Sequence, residues 1–138
     1  MRHIIRNFFE KPDTSGDIEV KTELGKVDYV FTCRYRGNIC VNLVEVKTPS
    51  EVRGKSTIDQ AIRELLYNSA AIHFHDDYKH CKYHREYVAL DEASIKEISM
   101  KMKNLQEKLK RYRFGLLITD LRTGKATVKL PAKFEKYI

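Results

Sequence analysis

Long apolar runs, cysteine-rich stretches, repeats and low-complexity tracts are all missing from this sequence. Without the ~20 consecutive apolar residues that a spanning helix needs, a helical membrane protein is excluded. The three cysteines, Cys33, Cys40 and Cys81, are odd in number and not tightly spaced. That argues against a disulfide-stapled scaffold and points to a reducing, cytoplasmic setting. Cys33 and Cys40 fall in apolar, strand-like stretches, where a cysteine usually serves as a small hydrophobe. No small-residue cleavage site follows the opening MRHIIRNFFEKPD, so this stretch is expected to belong to the fold rather than to a signal peptide. No linker divides the 138 residues. A single domain over residues 1–138 is expected, large enough to bury a core without disulfide or metal staples.

What is present is globular in balance: 42% hydrophobic and 33% charged residues. The net charge is +7, with a pI near 9.3. Such a chain favours polyanionic partners, because neutralised phosphates release their counterions. Many basic proteins have no nucleic-acid role, so charge opens that reading without deciding it.

The pattern predicts a short helix over 2–9, ended by Pro12 and the turn residues Asp13-Thr14-Ser15-Gly16. Strands are expected over 18–24, 27–34 and 39–47, separated by turns at Gly25-Lys26 and Arg36-Gly37-Asn38. The third, ICVNLVEVK, is apolar on both faces and should be a central, doubly covered strand. A helix follows, with Ser56 and Asp59 as a capping-box-like pair and Ile58, Ala61, Ile62, Leu65, Ser69 and Ile72 on one face. After a polar, His-rich stretch come a strand at 85–90 and a helix over 92–112. The packed stripe of that helix is expected to be Ile95, Ile98, Met102, Leu105, Leu109 and Tyr112. Strands at 114–119 and 126–130 complete the chain. Short turns make the first strands antiparallel, and helical crossovers let the later ones lie parallel. The expected fold class is α/β, an α+β mixed sheet with helices on both faces.

Glu45 and Lys47 stand two apart on the central strand and so project from the same face. A buried strand has no use for a carboxylate and an ammonium unless they are paired or used. A surface ion pair is the plain alternative. Asp28 starts the preceding strand, and in an antiparallel pair that start lies beside Glu45. Two carboxylates held together call for a cation, and Mg²⁺ suits them, taking one or two carboxylates with waters and phosphate oxygens. Asp28, Glu45 and the Val46 carbonyl are the expected metal ligands, with Mn²⁺ as a substitute ion. Lys47 would orient a water and offset transition-state charge.

These residues resemble the PD-(D/E)xK phosphodiesterase superfamily, the fold of many restriction enzymes, Holliday-junction resolvases and RecB-like nucleases. The resemblance is carried by Asp28 in VDYV and Glu45-Val46-Lys47 in NLVEVKTP, with sixteen residues between Asp28 and Glu45. It extends to Gln60 in TIDQAIRELLYN and covers roughly residues 1–90. Val27 stands where some members have proline. The resemblance implies a restriction-endonuclease-like core, a catalytic set of Asp28, Glu45, Lys47 and Gln60, and a further upstream glutamate on the metal. Glu10 is the candidate, with Glu19 and Glu23 as alternatives. By helical spacing Gln60 falls opposite the apolar stripe, beside Glu64 and Tyr67.

The expectation is an Mg²⁺-dependent endodeoxyribonuclease acting on DNA. Homodimerisation would suit cutting of both strands. The alternatives are an inactive nucleic-acid-binding module on the same fold, or a protein whose basic faces are only solvated. His73, His75, His80, Cys81 and His84 could ligate zinc, though their spacing matches no standard finger. Lys79, Lys82 and Arg85 interleave with Tyr78 and Tyr83 as a possible substrate-facing loop. The basic face of the 92–112 helix, with Lys101, Lys103, Lys108, Lys110, Arg111 and Arg113, could flank a duplex or be plain solvated surface.

Overall fold

The β-branched and aromatic run around VDYVFTCR forms the strand its composition calls for, and it sits inside an antiparallel meander. In the computed structural model the described residues are 2–9, 15–48, 57–98 and 101–137. Strands β1 (Ser15–Thr22), β2 (Gly25–Tyr35) and β3 (Asn38–Lys47) pair in succession. Arg36 and Gly37 link β2 to β3 with φ of 50° and 76°. Positive φ at both central residues is what a two-residue hairpin turn needs to follow the strand twist, and glycine adopts it without a steric penalty. The first turn is displaced from its expected place. Ser15 and Gly16 already belong to β1, Gly25 opens β2, and the chain reverses at Glu23-Leu24. There Thr22 Oγ1 accepts a hydrogen bond from the Leu24 amide at 3.2 Å, a local bond that the sequence alternation does not reveal.

Helix α1 (Arg2–Phe9) precedes the meander, and α2 (Thr57–Ile72) carries the chain across to β4 (Tyr83–Asp91), parallel to β3. Helices α3 (Glu92–Ile98) and α4 (Met102–Arg111) then lead to β5 (Gly115–Asp120), parallel to β4. The last long strand, β6 (Lys125–Leu130), returns antiparallel. A short β7 (Glu135–Lys136), absent from the sequence expectation, pairs with the start of β4. The sheet order is β1-β2-β3-β4-β5-β6. This is the mixed α+β sheet that was expected.

The long helix expected over 92–112 is two helices. Asp91 caps the first, its Oδ1 accepting from the Ser94 amide at 2.8 Å and the Ser94 hydroxyl at 2.6 Å. The second starts after Lys101, whose φ of −107° and ψ of 1° are not helical. It ends with Arg113 at φ 62° and the Phe114 amide bonded to the Leu109 carbonyl at 2.9 Å. That left-handed cap satisfies the last carbonyls and turns Phe114 into the core. Tyr112 consequently points outward, 46% exposed, and is not part of the packed stripe.

The alternation of β3 divides the core in two. Val41 and Leu43 face α2 and α4, packing with Val30, Val88, Leu65 and Leu109. Val44 and Val46 face α1, packing with Tyr29, Phe31, Tyr87 and Ile5. From Cys40 to Lys47 every residue of β3 is buried. Fully burying a side chain such as Leu65 contributes about 1.5–3 kcal/mol. On α2, Ala61, Ile62, Leu65, Ser69 and Ile72 are buried as the helical spacing requires. Ser56, half of the expected capping pair, lies outside the described residues. Among the described residues no helix is long and apolar enough to cross a membrane.

Candidate active site

The α2-facing side of β3 carries Glu45 and Lys47 in line with Val41 and Leu43. Glu45 is only 4% exposed and Lys47 only 7%, so a solvated surface pair is excluded. The β2–β3 ladder runs to the Tyr29–Val44 rung. The next position in that register sets Asp28 across from Glu45, on the same face. Asp28 Oδ2 accepts the Val46 amide hydrogen bond at 2.8 Å, so its carboxylate takes the acceptor role where the ladder stops.

Asp28 also sits at a fold in the meander. Residues two apart on a regular strand share a face. Ile18 and Tyr29 pack on the α1 side, yet Val20 and Val27 pack on the α2 side. Both strands change face between these residues, at Glu19 and at Asp28, and this rung is missing from the β1–β2 ladder. Glu19 takes the turn with φ of 60°. Its side chain is exposed and stands 3.8 Å from Lys26 Nζ. The two strands thus bend together at the position that delivers Asp28 to Glu45.

The electrostatics of Glu45 follow from this packing. Burial, then a hydrogen bond to Asp28, then the charges of Asp28 and Glu64 push its carboxyl from 4.5 up to about 10. Lys47 pulls the other way and does not prevail. Among the described residues, Glu45 Oε2 is buried with no hydrogen-bond partner. A carboxylate oxygen sealed from water without a partner is costly. A hard divalent ion fits the donor set of Asp28 and Glu45. Among the described residues no three His, Cys, Asp or Glu side chains converge to hold an ion, so a bound ion would keep waters or substrate oxygens in its shell.

Lys47 Nζ lies 3.6 Å from Glu64 Oε2. Glu64 stands on the flank of α2 beside Gln60, away from the apolar stripe. That flank therefore borders the site. Gln60, one turn earlier on the same helix, is exposed, while Glu64 makes the contact with Lys47. Glu64 could have been singled out by its spacing of four from Gln60. Glu10 lies outside the described residues. Glu23 is exposed at the β1–β2 turn.

No protein-family model matches the chain, and no curated protein does. Solved structures do. An XisH family protein from Nostoc punctiforme PCC 73102 aligns over 91% of this chain and 94% of its own, with a TM-score of 0.55 at 16% identity. An FdxN element excision controlling factor protein from Anabaena variabilis aligns over 91% and 93%, with a TM-score of 0.54 at 13% identity. The chain shares their fold. At such low identity the likeness extends no further than that.

Among the described residues the histidines do not converge with acids or thiols to hold an ion. His73 stacks on Tyr137 at 4.1 Å, and the His75 ring accepts the Asp77 amide at 3.2 Å. His84 Nδ1 meets both Glu86 and Ser69, while the Ser69 hydroxyl donates to Glu86 at 2.6 Å. Serine and glutamate share one ring nitrogen of His84, so the trio cannot relay a proton from serine through histidine to an acid. The basic–aromatic loop is also partly internal. Tyr78 is buried and donates to Asp17. Arg85 lies over the Phe134 ring at 4.2 Å and bonds Asn42. On α4, Lys108 is bonded to Asp59 of α2 at 2.8 Å.

Proposed function

We propose that this chain is an Mg²⁺-dependent nuclease of the PD-(D/E)xK kind, hydrolysing phosphodiester bonds in DNA. One observation carries the reading: a buried glutamate with an unpartnered oxygen, set across from Asp28 and beside a buried lysine. Asp28 and Glu45 would hold the ion, with the Val46 carbonyl as a further donor. When bound, Mg²⁺ polarises the scissile phosphate and makes a water more acidic. Lys47 keeps its ammonium on the same face as Glu45. There it orients the attacking water and offsets the negative charge that builds on the phosphate oxygens. Glu64 is a positioning residue that holds Lys47 from α2. Glu45 keeps its proton until a cation displaces it.

The net charge of +7 supports a polyanionic substrate. The Anabaena variabilis neighbour is described as controlling excision of an element, and a DNA substrate for this chain accords with that. A two-fold homodimer would set two sites against the two strands of a duplex. The test is cleavage of duplex, branched and single-stranded DNA with Mg²⁺ or Mn²⁺ by the wild type, Asp28→Asn and Glu45→Gln. The expected result is metal-dependent cutting by the wild type alone. Equal behaviour of all three proteins would defeat the proposal, and salt-sensitive binding without cutting would favour an inactive binding module.

A further inference from the structure

Cys33 and Cys40 have no part in the site just described. They lie on the other face of the sheet, where β2 and β3 set them directly opposite each other. Opposed residues of an antiparallel pair have Cα atoms roughly 4.5–5.5 Å apart, within the span that a disulfide bridges. Both are free thiols, Cys33 half-buried and Cys40 fully buried.

The surroundings of Cys33 are built rather than merely apolar. Asn42 Nδ2 donates to Cys33 Sγ at 3.3 Å. Asn42 is itself completely buried, and its Oδ1 accepts from Arg85 Nε at 2.6 Å. Arg85 is held over the Phe134 ring at 4.2 Å. This chain of contacts fixes the amide so that an N–H, and not the carbonyl, meets the sulfur. An N–H aimed at sulfur with a guanidinium behind it favours a thiolate over a thiol. Cys40 Sγ donates to the Cys33 backbone carbonyl at 3.1 Å, which holds the second sulfur close to the first strand.

We propose that Cys33 and Cys40 form a dithiol site that takes small disulfides as oxidants and closes a cross-strand bond between β2 and β3. The Cys33 thiolate attacks one sulfur of a disulfide RSSR. The old S–S bond breaks, a mixed disulfide forms on Cys33, and the first thiol leaves as RSH after taking up a proton. Cys40 then loses its proton and attacks Cys33 Sγ, expelling the second RSH. Two protein thiols are oxidised and one small disulfide is reduced to two thiols.

The acidities fit this order. The neighbouring Cys40 thiol draws the Cys33 thiol below its ordinary value against the effect of burial, with Asn42 and Arg85 adding to the fall. Cys40 is held protonated first by its hydrogen bond with Cys33 and next by burial. Once Cys33 carries the mixed disulfide its charge is gone, and Cys40 is freed to ionise. Cys81 serves as an internal control, because burial pushes its thiol up to about 11. The new bond would tie together the two strands that carry Asp28 and Glu45.

The test uses the full chain with oxidised glutathione, followed by peptide mapping without reductant and pH-dependent alkylation by iodoacetamide. The expected product has one intramolecular Cys33–Cys40 bond and Cys81 free. Cys33 should alkylate at a lower pH than Cys81. Cys40→Ser should stop at one glutathione on Cys33. Asn42→Ala and Arg85→Gln should slow Cys33 alkylation several-fold at neutral pH. The wild-type profile needs no variant to fold, so it decides the matter alone. A Cys33 midpoint no lower than that of Cys81, no bond after oxidation, or a bond that uses Cys81 or a second chain would each overturn the proposal.

Discussion

Replacing Glu45 by glutamine should stabilise the protein, and the gain should depend on pH. Glutamine keeps the shape of the side chain and can still donate to Asp28, but it carries no titrating proton. In the fold the Glu45 carboxyl titrates at about 10, against 4.5 ordinarily. A group whose acidity is weakened by folding holds its proton longer in the native state than in the unfolded one. Its stabilising contribution is complete below about pH 4.5 and is lost as pH rises through the folded value near 10. Each pH step above 4.5 costs about 1.4 kcal/mol, so at pH 7 the deficit is about 3 kcal/mol. For a chain of this size that corresponds to a melting-temperature difference on the order of 10 °C.

The assay is urea unfolding of the wild type and Glu45→Gln, in EDTA, at several pH values from 5 to 9. Glu45→Gln should be the more stable protein at pH 7, with the gap closing towards acid pH and widening towards pH 9. Mg²⁺ should then stabilise the wild type and leave the variant unchanged, since an ion bound only by the native state adds to stability. A gap that is the same at every pH would refute the reasoning. It would mean that Glu45 is ionised in the fold and is not sealed against Asp28.

Other perturbations separate the remaining roles. Lys47→Met should lower single-turnover DNA cleavage by about 10²–10³-fold, while DNA binding, read by fluorescence anisotropy, changes little. Glu64→Gln touches the site indirectly, through Lys47 and through its charge on Glu45, so its loss in the same cleavage assay should be smaller, about tenfold. Gly115→Ala should destabilise by about 1–3 kcal/mol in thermal unfolding, because a Cβ there would sit 2.5 Å from the Tyr87 ring and 2.7 Å from the Ala132 amide nitrogen, which belongs to the backbone. DNA affinity should fall linearly in log–log form with salt, the slope counting the phosphates neutralised; a flat line would remove the basic surface from the account.

Much of this arrangement could be read from residue types, because periodicity encodes faces. The doubly apolar ICVNLVEVK gave a central strand, and antiparallel logic alone brought Asp28 to Glu45. What escaped depends on contacts distant in sequence. Glu64 sits off the apolar stripe of α2, and only the packing of that helix on β3 brings it to Lys47. The change of face at Glu19 and Asp28 rests on one backbone angle that no composition signals. Heptad-like spacing from Ile95 to Tyr112 read as one helix, yet the chain breaks it near Lys101 and caps it at Arg113. The reading of Cys33 and Cys40 as small hydrophobes fits their burial but missed their pairing, since register fixes which residues oppose each other. Tyr78 and Arg85 looked like ligands for bases, and instead tie the protein to itself.

The energetics also bear on the choice between the proposed catalytic reading and a binding-only one. Glu45 has Leu43 along its own strand and Val88 as its register partner on β4, both fully buried. An apolar residue would satisfy that position, and no net stability is gained by placing a carboxyl there. A module that only binds nucleic acid needs cations at its surface, and it has them on α4 without help from Glu45. The Asp28 carboxylate at that site would repel phosphate and weaken such a module. The pair suits the divalent ion proposed above, held between carboxylates and phosphate. Local conflict with folding is expected where chemistry has to be done. It follows that Asp28→Asn combined with Glu45→Gln should bind DNA more tightly than the wild type in EDTA and lose that advantage in Mg²⁺. Weaker binding by the double variant in EDTA would contradict this reading.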